Sequence, residues 1–144
     1  MKKVVLFAVS TFFLSLLSCS KNEGGNKDVI SMETSETSVV NNNGKADTLS
    51  TGSSITEVNG QKTEKVSNIY KASDGTLVKV VFETTPKEST LAITNNHKTF
   101  TLKKTETNGD ETVYKKDDMT AKVKGDSLHI VQGNNIIELK KTKI

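Results

Sequence analysis

Apolar residues alternate with polar ones along most of the second half of the chain. The runs TLVKVVFE, TLAIT, KTFTLKK, MTAKVK, SLHI and IIEL each place an apolar residue at every second position. A period of two is typical of strands that bury one face, and the abundance of Thr, Val and Ile agrees with it. The residues that this pattern places inside the domain are Val80, Phe82, Ile93, Phe100, Val123, Ile130 and Leu139.

Turn signals separate these runs at short intervals. They read SDG, NNH, NGD, KGD and GNN, and each combines residues that favour tight turns. We count about eight strands between Ile69 and Ile144. A domain this small hides its strand edges best by closing into an antiparallel barrel. An eight-stranded barrel leaves little more than packing space inside, so a ligand cavity is compatible with the pattern but not implied by it.

The N-terminus has the features of a bacterial lipoprotein signal. Two lysines precede the apolar run Val4–Leu17, which is shorter than the roughly 20 residues of a membrane-spanning helix and fits a secretory signal peptide. The run ends in LLSC, which resembles a lipobox and predicts removal of residues 1–18 and lipidation of Cys19. Because Ser20 follows where an aspartate would favour the inner membrane, we expect an outer-membrane lipoprotein on the periplasmic face or the cell surface.

Cys19 is the sole cysteine, so no intramolecular disulfide can form. The alternative to lipidation is a stray cysteine after an ordinary signal peptide. Residues 19–68 are rich in Ser, Thr, Asn and Gly and show no sustained apolar period, which predicts a disordered tether with a reach of roughly 35–40 Å. A short strand near Val29–Met32 or Ser38–Val40 stays open. The folded domain is expected at residues 69–144.

Charge and residue spacing exclude several classes of function. The formal net charge of +3 falls to about +1 when Lys2 and Lys3 leave with the signal peptide, and the sequence has no arginine. Nucleic-acid binding, which depends on clustered cations and aromatic platforms, therefore has little support. His97 and His129 stand apart from any cluster with metal-ligand spacing. Since no catalytic triad or phosphate-binding loop is present either, we expect a protein that is not an enzyme and has no cofactor.

Several motifs of the folded domain occur together in a known family. YKASDGTLVKVVFE supplies an aromatic residue, an Asp-Gly turn and a V-x-F strand, and Lys124-Gly125-Asp126 follows Tyr114 at a distance of ten residues. In this order and spacing the domain resembles the membrane-bound and periplasmic inhibitors of c-type lysozyme, which are eight-stranded antiparallel barrels often carried on lipoproteins. The resemblance covers nearly the whole folded domain. It implies a c-type lysozyme as protein partner.

One departure from the family concerns stability. Its members usually join an early cysteine to one near the C-terminus, whereas Ala72 occupies the first position here and the tail NNIIELKKTKI has no cysteine. Such a crosslink would contribute roughly 4 kcal/mol in the chain-entropy model. The barrel is therefore expected to depend on its core alone and to be marginally stable.

A second departure concerns the inhibitory loop. In the family, a serine on a protruding loop and a lysine on an adjacent turn engage the two catalytic carboxylates of lysozyme. Lys124 keeps the lysine, but Asp110 stands at the serine position, where its carboxylate would repel the enzyme unless Lys124 or a proton neutralises it. If the loop carries an insertion instead, Asn108 or Thr112 would supply the neutral hydrogen bond.

The resemblance thus implies a set of lysozyme contacts, with Lys124 as the principal one: Lys124, Tyr114, Asp110, Gly125 and Thr112. Each residue also has an ordinary structural interpretation. Lys124 could be a solvated turn residue, and Tyr114 is more often a core or rim aromatic than a contact. Two functions therefore stay open: an inhibitor of c-type lysozyme, or a non-inhibitory envelope module that uses the same barrel to bind a glycan or an envelope protein.

Overall fold

The computed structural model describes residues 29–42, 44–95 and 97–143. Ten strands occupy them: β1 Val29–Asn42, β2 Lys45–Val58, β3 Gln61–Ala72, β4 Leu77–Thr84, β5 Ser89–Asn95, β6 Lys98–Asn108, β7 Glu111–Lys116, β8 Met119–Lys124, β9 Ser127–Gln132 and β10 Asn135–Thr142. No helix in these ranges is long and apolar enough to cross a membrane. The predicted signal peptide and Cys19 lie outside the described residues.

Strands β3 to β10 form a closed antiparallel barrel. Each pairs with the next along the chain, and residues Ile69–Ala72 of β3 pair with Leu139–Thr142 of β10 to complete the circle. The prediction of an all-β, eight-stranded antiparallel barrel is therefore confirmed. The first barrel strand begins at Gln61, before the predicted domain start at Ile69.

The barrel interior is filled by apolar side chains from every one of its strands. The buried core consists of Tyr70, Val78, Val80, Leu91, Ile93, Leu102, Tyr114, Met119, Ala121, Leu128, Ile130 and Leu139. Phe82 and Val123 are half-buried against this core, and the Phe82 ring meets the Tyr114 ring edge-on with centroids 6.3 Å apart. The period-two pattern thus assigns the correct face to each of these strands.

One predicted core residue is not packed. Phe100 lies opposite Ile93 on the inner face, but its side chain is 37% exposed. Ile137, opposite Ile130 on the same face, is 48% exposed. Both side chains lie at a mouth of the barrel. Alternation specifies which face a residue occupies, but it does not specify whether other side chains fill the space in front of it.

The segment predicted as a disordered tether contains strands from residue 29 onward. β1 and β2 form a long hairpin, and β2 pairs with the first part of β3 through Gly52–Val58. Both hairpin strands are rich in Ser and Thr and carry scattered apolar residues on both faces, so no period of two marks them. Their pairing depends on the backbone ladder and β-branched residues more than on a buried face. The predicted disorder is corrected for residues 29–42 and 44–68.

The hairpin also covers part of the barrel's outer surface. Ile69 points outward, since its neighbour Tyr70 belongs to the core, yet Ile69 has no exposed surface. The Ser67 hydroxyl donates to the Ser50 carbonyl at 3.0 Å, and the Lys79 ammonium donates to the Ser50 hydroxyl at 3.0 Å. The part of β2 around Ser50 and the buried Leu49 therefore lies over the outside of β3.

Antiparallel pairing gives the barrel two different ends. At the end that we call the Lys124 end, β6 joins β7 and β8 joins β9, each through two residues. At the opposite end, which we call the cavity end, β3 joins β4, β5 joins β6, β7 joins β8 and β9 joins β10. Phe100 and Ile137 belong to the cavity end.

Two substitutions on β6 test whether the mouth of the barrel is packed less tightly than its centre. We expect Leu102→Ala to cost about 2–5 kcal/mol of unfolding free energy, because Leu102 is fully buried and its removal leaves a cavity. Phe100→Ala on the same inner face should cost less than half as much, since its side chain already borders open space. Urea denaturation followed by circular dichroism measures both values. Equal losses would show that the mouth is packed as tightly as the centre.

Candidate functional site

Two tight turns lie side by side at the Lys124 end. Gly109-Asp110 joins β6 to β7, and Gly125-Asp126 joins β8 to β9. The two glycines have φ values of 60° and 55°, in the left-handed region that favours glycine. A positive φ at the first of two turn residues suits the hairpin turns whose twist matches that of the strands. Because Glu111 of β7 is paired with Lys124 of β8, both turns reach the same height.

The β6–β7 hairpin projects beyond its neighbour β5. Strand β6 pairs with β5 only as far as Lys103, and Lys104–Asn108 pairs with β7 alone. The register shifts between Lys104 and Glu106, so Thr105 is bulged, and its hydroxyl donates to the Val113 carbonyl at 3.3 Å. A bulge increases local twist and redirects the strand beyond it. The sequence therefore builds a protruding tip at this end.

Lys124 and Asp110 form an ion pair between the two turns. The Lys124 Nζ lies 3.4 Å from Asp110 Oδ1, and the side chains are 61% and 73% exposed. Exposed pairs of this kind contribute about 0.2–1 kcal/mol, because water and salt screen them. The aspartate at the position of the family's serine is thus balanced by the lysine of the next turn. Gly125 follows Lys124 directly and leaves the side chain room to project.

The charges around this pair also balance. Glu111 is the cross-strand partner of Lys124, but its Oε1 lies 3.9 Å from the Nζ of Lys122 on the same outer face. Two lysines therefore face two carboxylates at this end of the β6–β8 sheet. The sequence motifs do not single out Lys122. The turn signal fixes the register, and the register places Lys122 and Lys124 on one face. Lys122 could therefore have been predicted from the sequence as a neighbour of Lys124.

The structure separates two predicted contacts from this pair. Tyr114 is 7% exposed and belongs to the core, and its burial raises the pKa of the phenol. Thr112 is half-buried opposite Val123, on the inner face below the turn. The structure brings Lys124, Asp110 and Gly125 together at the surface. Tyr114 and Thr112 lie on the inner face, and their role as lysozyme contacts stays a prediction.

Tyr70 lies in the core below the same end. Burial raises the pKa of its phenol, and the carboxylate of Asp126 and the Tyr114 phenol raise it further. Asp126 thus lies close enough to the core for its charge to act on Tyr70. The Asp126 carbonyl accepts a hydrogen bond from the Lys141 backbone N–H at 2.8 Å, which ties the β8–β9 turn to the last strand of the barrel.

The loop implied by the family resemblance is short here. Asn108 and Glu111 are paired directly, and only Gly109 and Asp110 lie between them. The turn therefore carries no inserted loop that would move Asp110 away from the site, and Asn108 ends the β6 ladder beside it. Protrusion comes from the length of the β6–β7 hairpin instead of from a long loop.

His129 lies opposite Lys122 on the outer face of β9, and His97 lies at the cavity end. His129 Nδ1 is 3.5 Å from Glu138 Oε1 across the β9–β10 ladder, and His97 occupies the β5–β6 turn with a φ of 62°. Within residues 29–42, 44–95 and 97–143, no group of three or more His, Cys, Asp or Glu side chains is placed to hold a metal ion.

Comparison with known proteins gives a structural likeness. No protein-family model matches the sequence, and no curated protein matches it. Among solved structures, the chain is similar to Pseudomonas aeruginosa MliC in its crystal structure with hen egg white lysozyme. The TM-score is 0.45 and the sequence identity is 9%, and the match covers 94% of this chain and 100% of the other.

Proposed function

We propose that this protein inhibits a c-type lysozyme by placing the Lys124 end of its barrel in the active-site cleft. The observation that carries the proposal is the position of Lys124, which is 61% exposed beside a glycine turn at a projecting end of the closed barrel. The motif spacing from Tyr114, which resembles that of lysozyme inhibitors, supports the same assignment. Occlusion of a cleft requires no chemistry of the inhibitor's own, so the proposal needs neither a cofactor nor a catalytic residue.

In the proposed complex, Lys124 leaves the carboxylate of Asp110 and binds the catalytic carboxylates of lysozyme. A lysine ammonium between two carboxylates in a partly desolvated cleft forms charge-assisted hydrogen bonds, which are stronger than neutral ones. The pair with Asp110 that must be loosened is exposed and therefore weak. Lysozyme cleaves a glycosidic bond with two carboxyl groups, one acting as acid and the other as nucleophile. A cation held between these two groups would occupy the place of the substrate and block its binding.

Asp110 opposes this exchange. Its carboxylate lies 3.4 Å from the Lys124 ammonium in the free protein, and in the cleft it would approach groups of like charge. The exposed pair on the same outer face, Lys122 with Glu111, adds no net charge. From Ile69 onward the chain has 13 lysines and 10 acidic residues, so long-range attraction to a cationic enzyme is not expected. Affinity must then come from contacts at the tip more than from steering.

We further propose that the protein acts as an outer-membrane lipoprotein held by a lipid on Cys19. LLSC at the end of the apolar run supports this. The first described strand begins at Val29, ten residues beyond Cys19, and the β1–β2 hairpin lies between it and the barrel strands. An inhibitor anchored in the envelope would intercept lysozyme beside the peptidoglycan.

Replacing Lys124 by alanine tests the mechanism directly. We expect Lys124→Ala to weaken inhibition by at least about 30-fold, because loss of a buried charge contact costs about 2–5 kcal/mol. Lys122→Ala is the matched control, since it removes an exposed lysine from the same strand and face, and it should change inhibition less than about threefold. The measurement is the rate of cell-wall lysis by a purified c-type lysozyme. If Lys124→Ala inhibits as well as the unmodified protein, the mechanism is wrong.

The opposite effect is expected at the neighbouring turn. Asp110→Ser restores the family's residue, removes a like charge from the cleft and releases Lys124 from its ion pair, so binding should tighten by about threefold or more. Calorimetric titration of the variant with a c-type lysozyme measures this. If Asp110→Ser binds lysozyme and the unmodified protein does not, the barrel has lost its inhibitory activity. That outcome would favour the envelope-binding alternative.

The lipid anchor has its own test. Cys19→Ser removes the sulfur that would carry the lipid, so we expect the protein to leave the membrane fraction and its precursor to keep residues 1–18. Fractionation of cells and mass spectrometry of the purified protein follow both changes. Normal membrane retention of the variant would contradict lipidation at Cys19.

A further inference from the structure

The cavity end of the barrel holds an opening of about 570 Å³. Most of the residues around it are apolar side chains of the inner face, and amide side chains stand at its rim. Its lining includes Phe100, Met119, Ile130, Ile137, Asn95 and Asp74. A volume of this size falls within the usual range of small-molecule sites. Eight-stranded barrels are also wide enough to hold one small ligand.

The apolar wall of this opening is left uncovered by the described part of the chain. Phe100 and Ile137 face inward but keep 37% and 48% of their surface exposed, and Ile136 at the rim keeps 69%. Further inside, Leu102 on the strand of Phe100 and Leu139 on the strand of Ile137 are buried. Large apolar side chains on a concave surface are a feature of ligand sites, because a bound apolar group would remove them from water.

A buried hydrogen-bond acceptor lies in the same wall. Asn95 Oδ1 is shielded from solvent and has no hydrogen-bond partner among the described residues. Leaving such a group unpaired costs about 1–3 kcal/mol. Asn95 lines the cavity, so a rotation of its side chain would expose Oδ1 to an N–H or O–H donor on a bound molecule, and that bond would satisfy the oxygen. The amide thus distinguishes this opening from a purely apolar gap between side chains.

A charged side chain borders the cavity. The Asp74 carboxylate accepts a hydrogen bond from the Thr76 backbone N–H at 2.9 Å, and this bond holds the pKa of Asp74 below its usual value. Asp74 is therefore ionised at neutral pH. Its charge disfavours an anionic group at the mouth and tolerates a neutral or cationic one.

We propose that this cavity binds one small amphiphile with an apolar body and a single N–H or O–H donor, uncharged or cationic at its polar end. The apolar body would cover Phe100 and Ile137, and the donor would reach Asn95. The site lies at the end of the barrel opposite Lys124, so it does not depend on lysozyme inhibition.

The first experiment uses N-phenyl-1-naphthylamine, an apolar fluorophore with one N–H donor. The protein is the mature chain, residues 19–144 with Cys19→Ser, produced without residues 1–18, so that neither a lipid nor the apolar signal segment requires detergent or binds the probe. We expect saturable fluorescence enhancement at one probe per chain, and displacement by dodecanol and by dodecylamine. Dodecanoate should displace less well than dodecanol, because the Asp74 carboxylate at the mouth repels its charge, an effect that exposure to water keeps modest. Absence of saturable binding, or equal displacement by dodecanoate, would overturn the proposal.

Variants locate the probe. Phe100→Ala and Ile137→Ser should each weaken binding at least about fivefold, whereas Val39→Ser, which removes a 73% exposed apolar residue from β1, should leave it unchanged. Circular dichroism confirms that each variant is folded. Lys124→Ala should bind the probe normally. If neither Phe100→Ala nor Ile137→Ser changes binding, the probe sits elsewhere and the assignment fails.

A final comparison tests the donor. The methyl ether of dodecanol has nearly the same body and lacks the hydroxyl proton. We expect the unmodified protein to prefer dodecanol by about fivefold or more, and Asn95→Leu to lose that preference. Equal affinity of the unmodified protein for the alcohol and its ether would refute the role of Asn95 and reduce the site to an apolar mouth.

Discussion

Strand β3 divides one edge between two partners, β2 along Gln61–Ser67 and β10 along Ile69–Ala72. Its other edge pairs with β4, so this one strand both closes the barrel and carries the additional hairpin. Gly52 of β2 lies where β2 gives way to β10, and a side chain there would collide with the Thr34 carbonyl oxygen. A glycine lets β1 and β2 approach closely where β2 leaves the ladder and crosses the outside of β3. Without a disulfide, closure depends on these backbone bonds and on the core behind them.

Closure also separates the two candidate sites. In an antiparallel barrel, connections alternate between the ends, so the turn after β6 and the turn after β8 must lie together. That arrangement brings Asp110 and Lys124 to 3.4 Å although they are 14 residues apart in the chain. The intervening connection, at Asp117, must lie at the other end with the cavity. One end thus carries the Lys124–Asp110 pair on two tight turns, and the other carries the open apolar mouth.

The sequence predicts the barrel strands well and the hairpin poorly, for one physical reason. From Leu77 onward each strand turns its apolar side chains to the inner face of the barrel, which imposes a period of two that can be read directly. β1 and β2 have little buried face: Val29 and Met32 are exposed, while Leu49 is buried. Composition then resembles that of a disordered segment, although Ser- and Thr-rich strands can pair when a neighbour such as β3 offers an edge. The first part of β3 pairs with the hairpin and the second part closes the barrel. Only the second part shows the barrel pattern, which is why the sequence places the domain start at Ile69.

The turns of the Lys124 end are predictable from NGD and KGD, because glycine and aspartate at these positions specify two-residue hairpins and hence register. The cavity is not, because alternation assigns Phe100 and Leu102 to one face without giving the depth of each along the barrel. Depth depends on strand tilt and on which neighbour stands opposite, which are properties of the closed barrel. Leu102 lies inside the packed core and is fully buried, whereas Phe100, two residues nearer the rim on the same face, borders open space. A short barrel therefore cannot bury every inward residue, and what it leaves exposed at its mouth is available to a ligand.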